Sequence, residues 1–298
     1  MSRGLALILV GFAGVFWASS GVAVQDFFMY SAKTPMELTN IRMCVAGAIL
    51  LLIAATRRKK FWLSVRLLNK NPRFWLDVII YGIIGVVFMQ YTYFKGISIG
   101  GAAAATVICY ACPAMVVIWE SFYNRKMPKR GEIIAVILAM IGVFLLVTGG
   151  NPTKLLVPMG CIVWSLASGA AFAFSAIYPK HLFARKIDAY FLTGAGMFLG
   201  GLFTFLLIEE RNWTAFFNAD VVFDVSWIII FGTVAAFLSF NAGLRYLTPE
   251  EASITATTEP AASVIISWLI FGTAFGLIES FGIILVLLAI IVPSIIKN

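Results

Sequence analysis

Two stretches decide how this chain is read: Ala105–Trp119, ATVICYACPAMVVIW, and Ala252–Ile266, ASITATTEPAASVII. In each, small residues lead to a proline and an aliphatic run follows it. Shifted by 147 residues, Pro113-Ala114 falls on Pro260-Ala261 and Val117-Ile118 on Val264-Ile265. The register continues outward without a gap: Gly85 falls on Gly232, Gly96 on Gly243, Ala105 on Ala252 and Glu132 on Glu279. Further out, a shift of 155 sets Gly14–Ser20 (GVFWASS) on Gly169–Ser175 (GAAFAFS). The chain is therefore a duplication, with residues 1–150 and 151–298 as its two units.

The medium follows from composition. The 298 residues are 61% hydrophobic and only 12% charged, with a mean hydropathy of +0.96. A soluble domain is about half apolar and a quarter charged. A spanning helix needs about 20 mostly apolar residues. Ten such segments can be drawn: Gly4–Val24, Met36–Thr56, Phe74–Lys95, Gly101–Phe122, Gly131–Thr148, Val157–Tyr178, Ala189–Ile208, Val225–Leu247, Glu251–Gly272 and Leu277–Ile296. They predict an all-α membrane protein of ten transmembrane helices. With five spans in each unit, the second unit must enter the membrane in the opposite orientation from the first. That predicts two inverted-topology five-helix repeats, an architecture of secondary transporters whose substrate sites lie at the repeat interface near the midplane.

The net charge of +8 is distributed by side. With loops assigned alternately, 17 of the 22 basic residues fall on one side, among them Arg3, Arg57–Lys60, Arg66, Lys70, Arg73, Arg125, Lys126, Arg185, Arg245 and Lys297. Lys33, Lys95, Lys154 and Arg211 fall on the other, and Arg42 lies inside the second span. The positive-inside rule puts both termini in the cytoplasm, in a multi-pass protein of the cytoplasmic membrane. The Arg57–Lys60 run reads as a topology anchor, with a lipid- or nucleic-acid-binding patch as the alternative. The first span could be taken for a signal peptide ending near Gly21-Val22-Ala23. Its internal counterpart at 169–175 argues for a retained helix.

The two units resemble paired EamA domains of the drug/metabolite transporter superfamily. The resemblance rests on Gly14-x-x-Trp17, Arg42, the small-residue fourth span ending in Pro113, Ala252-Ser253, Glu259-Pro260 and Gly282. It departs where the family often carries Gly-Glu: here stand Asn124-Arg125 and Gly272-Thr273. The resemblance implies a transporter rather than an enzyme, of amino acid/metabolite exporter kind.

Candidate substrate contacts are the polar and aromatic residues placed deep in the spans. Glu259 sits near the midplane, where a carboxylate costs at least about 2.5–3.5 kcal/mol. It is then protonated, paired or open to cavity water, and reads either as a substrate or proton site or as a packing acid beside the Pro260 kink. No cation is expected at its depth, Arg42 being placed in the outer part of its span. Ala252, Thr255, Ala256, Glu259 and Ser263 form one helical stripe, with Tyr110 beside the repeat-related one. Trp17, Gln90, Tyr91, Phe172 and Asn241 complete the expected cavity lining. Pro113 and Pro260 are expected to bend their helices.

Other constellations do not close. Cys109-x-x-Cys112 lies within a span without a second pair, and His181 stands alone. No metal site or other cofactor is expected. No nucleotide-binding loop or catalytic set is present, and no nucleic-acid partner is expected. Gly196-x-x-x-Gly200 fits a homodimer seam or packing within a monomer. The residues point to a secondary transporter of a small polar or amphipathic metabolite, working by alternating access with protons as a candidate coupling ion. Import of an organic cation such as a quaternary amine is the alternative, and a non-transporting membrane protein or lipid scramblase is the alternative of another class.

Overall fold

A computed structural model describes residues 2–124, 127–208, 216, 218–244, 246–247, 255 and 257–296. Arg125, Lys126, Arg211, Arg245, Glu251–Ser253, Ala256 and Lys297 lie outside them. Among the described residues every regular element is helical. In chain order these are α1 (Arg3–Tyr30), α2 (Pro35–Thr56), α3 (Arg58–Lys70), α4 (Arg73–Ile80), α5 (Met89–Gly100), α6 (Ala102–Cys109), α7 (Cys112–Asn124) and α8 (Arg130–Thr148). The second half holds α9 (Met159–Ile177), α10 (Lys180–Ala184), α11 (Ala189–Leu206), α12 (Ala219–Ile229), α13 (Ala236–Leu244), α14 (Thr258–Phe271) and α15 (Leu277–Ile295).

Among the described residues, eight helices or continuous helical runs are long and apolar enough to cross a membrane, and α14 and α15 are apolar but shorter. The third expected span, Phe74–Lys95, is in fact one run from Arg73 to Gly100. It joins α4 to α5 through a π-helical stretch, Tyr81–Phe88. A second π stretch, Ile230–Ala235, joins α12 to α13. Each contains one glycine of the repeat-related pair Gly85 and Gly232. The basic stretch after α2, expected as a loop, forms the amphipathic helix α3.

Local chemistry explains several boundaries. Thr34 caps α2: its hydroxyl accepts from Glu37 N at 3.3 Å, and the Glu37 carboxylate accepts from Thr34 N at 2.8 Å. Asp188 caps α11 by accepting from Tyr190 N and Phe191 N. The fourth span breaks at Tyr110-Ala111, between α6 and α7. Pro113 brings no N–H for the Cys109 carbonyl, and Gly169 of α9 packs on that carbonyl instead. Pro260 stands in the first turn of α14, so the expected mid-helix bend there would involve the segment upstream, outside the described residues.

Packing runs across the halves. α2 lies on α11, α8 on α15, and α6 on α14; α1 lies against α12, α13 and α14, and α9 against α5, α6 and α7. Among the described residues, the contacts of α1 with α13 and α14 answer to those of α9 with α5 and α7, and α2–α11 and α8–α15 each pair a helix with its own counterpart. Cys44, Gly47 and Leu51 along α2 meet Gly201, Phe198 and Gly194 of α11 in descending order. The corresponding helices α2 and α11 thus run antiparallel. Asn40 Nδ2 seals this pair by donating to Gly201 O at 2.7 Å and Thr204 Oγ1 at 3.0 Å; such interhelical bonds average about 0.6 kcal/mol in membranes. In α8 and α15, Gly142 and Gly282 each face the other's carbonyl, an approach that any Cβ would block. Gly196 and Gly200 face Tyr81, Gly82 and Val87 of the same chain. Large side chains such as Leu52 and Met140 cover the outside of the bundle, where lipid hydrocarbon is their solvent.

Candidate functional site

Among the ionisable side chains within the described spans, Arg42 and Glu259 come one from each half, and each is held by the other half. Arg42 projects from α2 and is 6% exposed. Its Nε donates to Thr233 Oγ1 at 3.0 Å and its Nη2 to Gly232 O at 3.1 Å, both in the second half's π stretch. The guanidinium also lies over the Phe94 ring, 5.4 Å from its centroid. The π turn explains the acceptor: widening the helix redirects backbone carbonyls from their usual partners, which is why such turns recur at functional sites. Gly232 is required there because a Cβ would strike Ser20 of α1.

Glu259 occupies the first turn of α14, where the helix dipole favours a carboxylate. Its Oε2 accepts from Tyr110 OH at 2.6 Å. Tyr110 reaches it because the chain breaks at that residue. Gly14 of α1 packs against Thr258 and the Glu259 backbone. Beside this pair runs a hydroxyl chain: Ser263 donates to Thr106 Oγ1 at 3.2 Å, and Tyr93 OH lies 2.7 Å from the same oxygen. The charges of Arg42 and Glu259 are near enough to act on one another and on Tyr93. The buried Ser20 hydroxyl, against Gly232, has no hydrogen-bond partner among the described residues.

The arrangement offers a cation, a carboxylate and several hydroxyls within one crossing of α1, α2, α5, α6 and α14. It corrects the expectation that no cation stands near Glu259. Of the eight contacts expected from sequence, Tyr110 and Glu259 meet. Trp17 packs against Phe237 and Phe240, with centroids 5.8 and 5.3 Å away. Gln90 is buried, and Tyr91 stands edge-on to Trp164 at 5.8 Å. Asn241 donates to Phe237 O of its own helix at 2.8 Å. Thr255 lies opposite Gly11. Phe172 is 45% exposed on α9 and does not join the cluster. Tyr93 and Thr233 were missed, whereas Ser263 stood on the expected stripe and Thr106 beside its repeat-related one without being counted among the eight. Arg42 was the available signal, since a basic residue inside a span marks a site by default.

A separate cavity of about 360 Å³ opens at the far end of the bundle from α3, between Gln25, Gly101, Leu146, Val157 and Phe275. There Gln25 Oε1 accepts from Ala102 N at 2.7 Å, closing the start of α6.

Comparison with known proteins agrees over the whole length. Residues 4–148, and again 159–295, match the description "EamA-like transporter family". An "Uncharacterized inner membrane transporter YicL" of Salmonella typhimurium is 29% identical over 98% of this chain and 95% of its own. An "Uncharacterized transporter YwfM" of Bacillus subtilis is 23% identical over 99% and 95%. A solved structure titled "Crystal structure of protein" has the same fold, with a TM-score of 0.64 at 16% identity, covering 99% of this chain and 98% of that one.

Proposed function

Because this chain belongs to the EamA-like transporter family, we propose that it moves an amino acid or closely related metabolite outward by alternating access between two inverted halves. The observation that carries the reading is the exchange of support at the centre: Arg42 is bonded by the second half, and Glu259 by the first. A guanidinium suits a substrate carboxylate, and Glu259 suits its ammonium. Ser20 supplies a free hydroxyl beside them. Moving the halves apart frees both charges for substrate, and binding substrate replaces the bonds lost. The antiparallel course of α2 and α11 supports the inverted relation.

Uptake of an organic cation would use Glu259 and the Trp17–Phe237–Phe240 rings, but the Arg42 charge beside them works against it. Flux of radiolabelled amino acids in proteoliposomes, set against choline-like cations, tests the choice. Amino acid flux alone supports the reading, cation flux alone reverses it, and no flux of either favours a non-transporting role. The basic bias supports cytoplasmic termini. Intact cells should label Lys154→Cys and leave Arg185→Cys unlabelled.

A further inference from the structure

The basic stretch after α2 has a structural use that neither topology nor the central cluster accounts for. α3 has 13 residues, about 20 Å of helix, too short to cross a hydrocarbon core of about 30 Å. It follows α2 directly and leads into α4, so it lies along the membrane surface where those crossings end. One face is fastened to the protein. Ser64 and Leu68 are buried, and Phe61 packs edge-on to Phe191 at 5.2 Å. Asp188 N donates to Ser64 Oγ at 3.0 Å, and Arg57, just before the helix, pairs with the Asp188 carboxylate at 2.9 Å. The helix is thereby bound to the start of α11, across the repeat boundary.

The opposite face carries Lys59, Arg66 and Lys70, all exposed. Beside them stand Trp62, 64% exposed, and Leu63, 39% exposed. None of the three cations is paired with a carboxylate among the described residues. Unpaired cations interleaved with an exposed indole and leucine, on a helix in the interfacial plane, complement anionic headgroups above and acyl chain below. Neither an acidic soluble partner nor a free anion would make use of the apolar pair.

We propose that α3 is a docking surface for anionic phospholipid, which braces the α2–α11 pair through Ser64, Arg57 and Asp188. The test is thermal unfolding of the full chain in neutral detergent with added phosphatidylglycerol, phosphatidylcholine or inorganic phosphate. For the unaltered protein, phosphatidylglycerol is expected to raise the midpoint by several degrees and the other two to leave it in place. The triple variant Lys59→Gln, Arg66→Gln, Lys70→Gln should keep the lipid-free midpoint and lose most of that rise. Trp62→Ala should lose part of it. An equal rise in the triple variant, or with phosphatidylcholine, overturns the proposal, and a rise with inorganic phosphate replaces it with a simple anion site. Should the triple variant fail to fold, retention of phosphatidylglycerol by the unaltered protein in native mass spectrometry decides: a fall to the phosphatidylcholine level on raising ionic strength supports the proposal, and unchanged retention overturns it.

Discussion

The pocket around Arg42 and its repeat-related counterpart share a frame and differ in what fills it. Ser20 of α1 meets Gly232 in one, and Ser175 of α9 meets Gly85 in the other. Both glycines sit in π stretches. Setting Thr34 on Asp188, the two helix starts, pairs Thr39 with Thr193, Met43 with Met197 and Gly47 with Gly201. The same register sets Arg42 on Gly196, which lies against Tyr81 and Gly82. By the 147-residue register Glu259 answers to buried Cys112, and Tyr110 to Thr257. The duplication thus preserved the backbone crossings and the small residues that allow them, while the charges stand in only one of the two equivalent places. On the proposed mechanism, symmetry would belong to the moving frame, and recognition to the residues that break it.

Arg42→Ala is the strongest challenge to that contrast. It removes a buried cation together with its hydrogen bonds to Thr233 and Gly232, a loss of about 3 kcal/mol or roughly 100-fold. Proteoliposome flux should fall by about that factor, and normal flux would show that the charged pocket is merely structural. Arg42→Lys should recover little, because an ammonium cannot reproduce the fixed guanidinium geometry. Glu259→Gln comes next. It keeps a partner for Tyr110 but removes the charge, so apparent affinity for amine-bearing substrates should fall about tenfold, equivalent to about 1.4 kcal/mol. The pH dependence of flux should vanish with it; matching pH curves for the two proteins would return Glu259 to a packing role.

A paired test sharpens the comparison further. Gly232→Ala and Gly85→Ala each press a methyl against a serine, and overpacking costs about 1–3 kcal/mol. Both should lower the melting temperature in detergent, Gly232→Ala more. Flux measured on folded protein should drop only for Gly232→Ala, which also displaces the Arg42 acceptor. Equal flux losses would mean that the frame, and not the charge, sets transport. The smallest effect is expected for Cys112→Ala, the counterpart of Glu259, which should change flux less than twofold.

Much of the frame was readable beforehand because it is written in local patterns. Apolar runs mark the crossings, the ungapped register marks the halves, and Pro113 marks the break that frees Tyr110. The stripe logic also brought Glu259 and Tyr110 into one expected lining. The partners of Arg42 were not foreseen because depth along its own helix says nothing about what a crossing helix presents. Its acceptors come from a π turn 190 residues away, whose only trace in the sequence is the Gly85/Gly232 pair. Phe172 was included on periodicity alone, and it stands 45% exposed on α9. α3 was hidden by its charges, which mask an amphipathic period in a segment too short to stand out.

The separation between Arg42 and its partners also bears on biogenesis. Arg42 leaves the ribosome about 190 residues before Gly232 and Thr233, and Asn40 about 160 before Gly201 and Thr204. Until then α2 holds an unpaired guanidinium in a membrane that disfavours it by several kcal/mol. The early helix must stay close to the insertion machinery or draw water inward beside it. A truncated chain ending after α8 keeps that exposed charge, giving quality-control proteases a direct mark of an unfinished molecule.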